Sequence, residues 1–421
     1  MTRTTTKPRM GRAERNMKIL MVNKFLYRRG GAESVVLETG EWFARHGHDV
    51  QYFGMYDQKN TVGNPAGLYT RNVDFHTKQL SRLLYPVRII YSRDAAHKMR
   101  KLIDSFHPDV ILMANINFQL TPSIIDAARS RRVPIIQTVH DSQITCPNHL
   151  LYDPTKNRRC EQCVKGTKWN CARNRCIHGS LPKSIIGAVE SIFHRLRGSY
   201  EYVSCFICPS AFMEGMLRKD PRFHGNTKVL RNYIKRQDGG ALSQKSNYVL
   251  FFGRLSEEKG IRLLMEAAKR LPHIPFVIAG TGPLSDLVEG QANVRWVGFQ
   301  TGSDLNQLIA EALITVVPSI CYENCPLSIL ESAALGTPSI GFALGGIPEL
   351  IQDGVTGKIV GTVSAEDLAK GIDDLYADRA LLKKMSDNCI QKNADLLDID
   401  EYCGELLQVI DQTIRKKRVE G

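Results

Sequence analysis

Apolar and polar positions alternate along this chain in two registers. Strand-length apolar runs recur at Lys18–Val22 (KILMV), Val50–Phe53, Val110–Met113, Val133–Val139, Val203–Pro209 and Val229–Asn232. Segments of helical period lie between them. Ala32–Arg45 carries Val35, Val36, Trp42 and Phe43, and Ser81–Phe106 and Ser184–Tyr200 interleave apolar residues with Lys and Arg. A further helix is expected from Ser210-Ala211-Phe212, because serine is a good N-cap. The second half repeats the pattern, with runs at Tyr248–Phe252, Phe276–Gly280, Val294–Val297, Leu313–Val317 and Pro338–Phe342. Its helices are expected up to Leu271, over Ser303–Ala312, and in pieces from Pro348 to Arg418. Wholly apolar strands alternating with helices predict parallel, doubly wound α/β sheets. Residues 56–80 read as a polar loop, and the polar, glycine-containing stretch Lys235–Asn247 reads as a linker between two Rossmann-like domains, 17–235 and 236–401.

The stretch Ser319–Leu335 (SICYENCPLSILESAAL) concentrates the candidate chemistry. Proline is tolerated in a helix's first turn, so a helix is predicted from Cys325 or Pro326 to Leu335, stopped by Gly336. Glu323 then lies in the loop before the helix and Glu331 inside it. In parallel sheets ligands bind past the carboxyl ends of strands. Two carboxylates there, beside a positive helix end, suit sugar hydroxyls and leave room for a phosphate. Arg254 and Lys259, five residues apart after another strand, suit a diphosphate, the first as a fork and the second as a point charge. Gly30-Gly31 and Gly345-Gly346 form side-chain-free turns into helices, and Gly280-Thr281-Gly282-Pro283 is a further strand-end loop. His140-Asp141 ends a buried strand.

At 421 residues, 43% hydrophobic and 24% charged, the chain is ordinary two-domain globular material. No apolar run reaches the ~18–20 residues of a membrane helix. Residues 1–16 are basic without a signal-peptide core and are expected to be a disordered extension. Charge changes the picture more. Residues 1–235 carry 38 Lys/Arg against 18 Asp/Glu, and the remainder 18 against 25. A basic half beside an acidic half suggests a polyanionic partner, with membrane surface, lipid pyrophosphate and nucleic acid as candidates. The interleaved helices 81–106 and 184–200 suit either docking on an anionic membrane or ordinary packing with a wet face.

Eleven cysteines without a signal argue against a disulfide scaffold. Five of them fall in the insertion 146–176: Cys146, Cys160, Cys163, Cys171 and Cys176. Cys160, Cys163, Cys171 and Cys176 are the candidate ligands of a structural zinc, their pKa values lowered by nearby Lys and Arg. Free thiols or a disulfide are the alternatives. No position suggests a catalytic metal. Asp398-Ile399-Asp400 precedes a helix rather than following a strand, and is read as a helix start.

Taken in order, GRLSEEKG, AGTGP, VGF and VPSICYENCPLSILESAALGTPSIGFALGGIPELIQDGVTGKIV resemble the C-terminal half of retaining GT-B glycosyltransferases of family 4. NKFLYRRGGAES and TVHD look like that family's glycine loop and active-site histidine. The Cys-rich insertion after HD resembles a subgroup encoded with bacterial capsular and exopolysaccharide genes. The resemblance implies a GT-B fold, two Rossmann-like domains facing a cleft, with the helix 402–421 packing back on the first. It implies a UDP- or GDP-type sugar as donor, a saccharide or lipid-linked saccharide as acceptor, no nucleic acid partner, and a cytoplasmic protein peripheral on the inner membrane face. Catalytic residues would be His140, Glu323, Arg254 and Lys259. Donor contacts would come from Gly30, Gly31, Gly253, Arg254, Lys259, Gly280, Val297, Glu323, Asn324, Pro326, Leu327, Ser328 and Glu331. No cofactor is implied for catalysis; zinc would be structural only. Asn324-Cys325-Pro326 departs from the commoner Phe-Gly between the glutamates, which leaves the donor sugar open. A nucleotide-sugar epimerase of the same architecture is the alternative.

Overall fold

The computed structural model describes residues 16–71, 85–234, 245–392 and 396–420. The basic extension, part of the polar loop and most of the linker lie outside the described residues. Six parallel strands form the first sheet: β1 (Lys18–Val22), β2 (Asp49–Phe53), β3 (Val110–Met113), β4 (Ile135–Thr138), and two after the Cys-rich insertion. Within the insertion, β5 (Tyr152–Asp153) and β6 (Arg158–Arg159) form a separate antiparallel hairpin. β7 (Cys205–Cys208) and β8 (Thr227–Val229) then complete the sheet in the order β2-β1-β3-β4-β7-β8. The core strands are buried along their length because helices cover both faces, which is why they read as unbroken apolar runs.

A second parallel sheet comprises β9 (Val249–Phe252), β10 (Phe276–Ala279), β11 (Val294–Trp296), β12 (Ile314–Val317), β13 (Ser339–Phe342) and β14 (Gly357–Val360). Its order is β11-β10-β9-β12-β13-β14, the Rossmann arrangement. The direction of winding reverses between β9 and β12, which pair directly, as Ile314 with Val249 and Thr315 with Leu250. The two doubly wound domains expected from the pattern are therefore present.

Two helical expectations and one strand are corrected. The region 81–106 is not one helix: within the described residues it is Tyr85–Ile90 and Arg93–Phe106, broken where Ser92 turns extended and caps the second helix through Ala95 N. The apolar face of that second helix (Ala95, Met99, Leu102, Ile103, Phe106) is in the core, leaving its basic face wet. The helix after the insertion spans Leu181–Leu196 and packs inside out. Ser184, Gly187, Ala188, Glu190, Ser191 and His194 face inward, while Leu181, Ile185 and Leu196 are exposed. The last strand of the first half sits slightly earlier than expected, at Thr227–Val229.

The chain finally returns to the first domain. Ile399–Glu420 is a helix whose Tyr402, Cys403, Leu406, Val409 and Ile410 join the core of helix Gly31–Arg45. Trp42 Nε1 donates to Asp400 Oδ1 at 2.5 Å. Asp398 accepts from Glu401 N at 2.9 Å while Glu401 accepts from Asp398 N at 3.0 Å, a reciprocal capping box. That is the physical role of the Asp-x-Asp pair.

The inward face of Leu181–Leu196 buries two ionisable groups. His194 Nε2 donates to Ile90 O at 2.7 Å, and burial pushes its imidazole down to about 4. Burial pushes the Glu190 carboxyl up from 4.5 to about 8. A carboxyl whose pKa rises on folding stabilises the fold fully below its unfolded value, and that contribution is lost as pH climbs through about 8. Glu190→Gln should therefore melt close to wild type at pH 5 and well above it at pH 9. The gain is on the order of 4 kcal/mol. Melting curves at the two pH values check this; an equal offset at both would show that Glu190 is not held neutral.

Candidate functional site

The second domain places its candidate residues at the reversal point of its sheet. β9 ends at Phe252 and runs into Gly253, which has φ 148°, and then into Arg254, which is exposed. Arg254 has no ion-pair partner among the described residues. The turn Glu257–Lys259 follows, and Gly260 starts the helix Ile261–Arg270. β12 ends at Val317, and its loop carries Glu323. These neighbouring loops meet: Lys259 Nζ lies 2.6 Å from Glu323 Oε1, which also accepts from Ser319 Oγ at 2.5 Å. The residues expected on diphosphate and sugar thus form a pair.

The helix after Glu323 spans Leu327–Ala334, later than expected, because Pro326 is extended (ψ 114°) and serves as N-cap. No side chain caps it, so its first amides remain available to an anion. Ser328 lies in this first turn and Glu331 in the next, half-buried. Leu327 meets the first domain: a Cβ built on Gly31 would lie 2.7 Å from Leu327 Cδ1. Gly30 is extended at φ −165°, a conformation open to any residue, so the close approach belongs to Gly31. Gly280 N donates to Gly298 O at 2.6 Å, which sets the Gly280 loop beside the Val297–Phe299 turn; Phe299 is exposed.

Gly345-Gly346 has a specific task. Gly345 bridges to Glu323 with φ 62°, and Gly346 N donates to Glu323 O at 2.7 Å. A Cβ on Gly346 would lie 1.9 Å from Asn324 O. Only a bare backbone lets this turn brace the glutamate loop.

Asn324 has a structural use that its departure from the family pattern did not suggest. Its Nδ2 donates across the cleft to Val139 O at 2.8 Å and His140 O at 3.2 Å. Ser210 Oγ donates to its Oδ1 at 2.6 Å. Glu349 makes a second crossing: its carboxylate accepts from Ala211 N and Phe212 N at 2.9 and 2.7 Å, capping a first-domain helix. Neither crossing has a short-range sequence signal, because each depends on the domains being apposed.

On the first-domain side, His140 is neutral: burial pushes its imidazole down to about 4 despite the Asp141 charge. Its Nε2 is buried with no hydrogen-bond partner among the described residues. An orphaned polar atom of this kind calls for a ligand.

Cys160, Cys163, Cys171 and Cys176, expected as zinc ligands, are free thiols in the structure. Among the described residues no three His, Cys, Asp or Glu groups are placed to hold a metal ion. Nor do the nearby cations lower the thiols as expected. Burial pushes Cys163 up to about 12 and Cys146 up to about 11. Cys171 is pushed up by donating to Cys176, whose own pKa falls. Cys163 and Cys171 pack against Ala172 and Ala188. Order comes instead from buried Lys168, whose Nζ donates to Thr145 O at 2.6 Å and Cys163 O at 2.8 Å. The insertion also touches the Glu323 loop: Tyr322, next to Glu323, donates to Glu161 Oε1 at 3.1 Å, and Lys219 holds Glu161 at 2.6 Å.

Two facing Rossmann domains, with loops converging on the cleft from each, define a GT-B glycosyltransferase architecture. Comparison with known proteins makes this specific. The family model "Glycosyltransferase Family 4" matches residues 29–235, and "Glycosyl transferases group 1" matches 234–392. The chain belongs to the family 4 glycosyltransferases of GT-B fold. It is similar to an uncharacterized glycosyltransferase of Methanocaldococcus jannaschii, 25% identical over 80% of this chain and 83% of that one. An alpha-D-kanosaminyltransferase of Streptomyces kanamyceticus is 30% identical over 33% of this chain and 39% of its own length. Among solved structures, a sucrose-phosphate synthase from Thermosynechococcus elongatus superposes with TM-score 0.71 at 17% identity, covering 95% of this chain and 100% of that one. Anabaena HepE in complex with UDP gives 0.65 at 18%, covering 94% and 100%. At such identities the structures speak for the fold.

Proposed function

We propose that this protein is a retaining, metal-independent hexosyl-type transferase. It moves a sugar from a UDP- or GDP-type sugar to a saccharide or lipid-linked saccharide acceptor in cell-surface polysaccharide (capsule or exopolysaccharide) biosynthesis. The observation that carries the reading is the convergence of Arg254, Lys259, Glu323 and the uncapped start of helix Leu327–Ala334 at the reversal point of the second sheet. Breaking the bond between the anomeric carbon and the diphosphate oxygen leaves positive charge on the sugar and negative charge on the leaving group. Arg254, Lys259 and the helix amides stabilise the latter. In this reading Glu331 holds the ribose, and Glu323 and His140 hold the donor sugar. The acceptor hydroxyl attacks from the face that the diphosphate leaves, and its proton departs with the phosphate. No side chain becomes a covalent nucleophile, in contrast to the carboxylate pairs of retaining hydrolases.

HepE, whose structures hold UDP and UDP-glucose, supports a nucleotide-sugar donor by analogy of fold. The epimerase alternative has no support among the relatives named above. The exposed apolar residues on Leu181–Leu196, beside Lys183, Arg195 and Arg197, support a peripheral position on an anionic membrane face, which we place on the cytoplasmic side. The helix Arg93–Phe106 offers only its basic face to such a surface. Among the described residues no helix is long and apolar enough to cross a membrane.

Incubation with a panel of UDP-, GDP- and ADP-sugars, with and without membrane extract, tests the proposal. Consumption of one donor that rises with extract, with release of the nucleoside diphosphate, is expected. Conversion of the donor sugar without any acceptor would point to the epimerase.

A further inference from the structure

The first sheet has its own reversal point. In the order β2-β1-β3 the winding changes direction between β1 and β3, so the crevice past their carboxyl ends is the ligand position that topology provides. The loops there are joined to each other. Asn115 N donates to Asn23 Oδ1 at 3.1 Å, and Lys24 N donates to Asn115 O at 2.9 Å. Asn117 and Phe118 follow β3, and Asp141 follows β4. His149 folds back over all three. Its Nδ1 lies 2.5 Å from Asn117 Nδ2 and 3.5 Å from Asp141 Oδ2, and its ring centroid is 5.1 Å from that of Phe118. Asp141 is fixed in turn, accepting from Gln143 N at 2.9 Å. Burial pushes its carboxyl up, but His149, Gln143 N and Lys24 together hold it below the usual range.

Two features mark this cluster as more than packing. Phe118 and His149, neither of them glycine, both adopt left-handed backbone at φ 59° and 69°. Such strain persists where the surroundings impose it, and it gathers at ligand sites. Asn117 is buried and its Oδ1 has no partner among the described residues. The amide orientation decides the tautomer. With that oxygen turned to His149, a proton on Nδ1 is shared by Asn117 and Asp141. Nε2, which has no partner among the described residues, then keeps a lone pair.

We propose that His149, oriented by Asn117 and Asp141, accepts a hydrogen bond from a hydroxyl of the acceptor sugar beside the attacking one. The site rests on the transferase reading above. It stands beside the donor half, because the carbonyl of His140, next to Asp141, accepts from Asn324 of the donor loop. His149 is a positioning residue: it holds a neighbouring hydroxyl, the attacking hydroxyl keeps its single proton for the departing phosphate, and the imidazole is unchanged over the cycle.

The test compares wild type with His149→Ala, His149→Gln and Asp141→Asn, using membrane extract as acceptor and the nucleotide sugar that wild type consumes. In His149→Ala the KM for extract should rise roughly tenfold or more, while the Kd for UDP or GDP stays at its wild-type value. Glutamine, whose amide oxygen also accepts a hydrogen bond, should recover part of the loss. Asp141→Asn should resemble the alanine variant. Unchanged acceptor KM, or equal loss of acceptor and nucleotide affinity, would overturn the site and leave the transferase standing. Wild type that consumes no nucleotide sugar would overturn the transferase reading and this site with it.

Discussion

Lys259→Ala should lower sugar transfer by ~100- to 1000-fold and leave the protein folded. Lys259 is half-exposed at a strand end, and its partner is Glu323 Oε1 at 2.6 Å, so no core contact depends on it. The loss falls on the transition state. As the anomeric bond breaks, charge builds on the diphosphate, and a fixed ammonium there is worth more than one free to reorient in water. Glu323→Ala should be equally severe for a different reason. It removes the carboxylate that orders Lys259 and Ser319 and the group assigned to the donor sugar. Circular dichroism and melting should match wild type for both variants. Full activity in either one would sink the donor-site assignment.

Asn324→Asp should open the cleft. The asparagine nitrogen donates to two first-domain carbonyls, Val139 O and His140 O. Aspartate would turn lone pairs towards both while keeping the bond from Ser210 Oγ. Losing two such bonds costs about 2–3 kcal/mol, or roughly a 30- to 150-fold shift from closed towards open. Small-angle scattering should show a larger radius of gyration, and transfer should fall with little change in melting of the separate domains. Unchanged scattering and activity would mean that the other cross-cleft contacts, the Glu349 cap and the Tyr322–Glu161 bond among them, hold the domains together without it.

The fold was readable because parallel strands buried on both faces leave continuous apolar runs, and nearly every expected strand lies within a residue or two of its place. β14 (Gly357–Val360) was passed over because Lys358 interrupts its run. Helix Leu181–Leu196 was read as amphipathic, correctly, but its buried side is the polar one; period alone does not say which face meets the core. In the second domain Arg254, Lys259 and Glu323 can be singled out as candidates because each follows an apolar run closely. In the first domain the pattern singled out His140 and missed its neighbours. Asn117 comes from the loop after β3, Asp141 and His149 from the loop after β4, and the strand order brings the two loops together. The Cys-rich insertion is hard to read for the opposite reason. Its spacing suggests a metal; in the structure Lys168 ties the segment through backbone carbonyls, burial pushes the Cys146 and Cys163 thiols up, and Cys171 is raised by donating to Cys176.

The central claim is that the strand-end loops of the second domain hold the diphosphate of a nucleotide sugar. Calorimetric titration of UDP and GDP into wild type and an Arg254→Ala/Lys259→Ala variant addresses it directly. The account predicts saturable binding of one nucleotide to wild type at one site per chain, lost or weakened ~100-fold in the variant. Binding of neither nucleotide, or equal binding by wild type and variant, would contradict it.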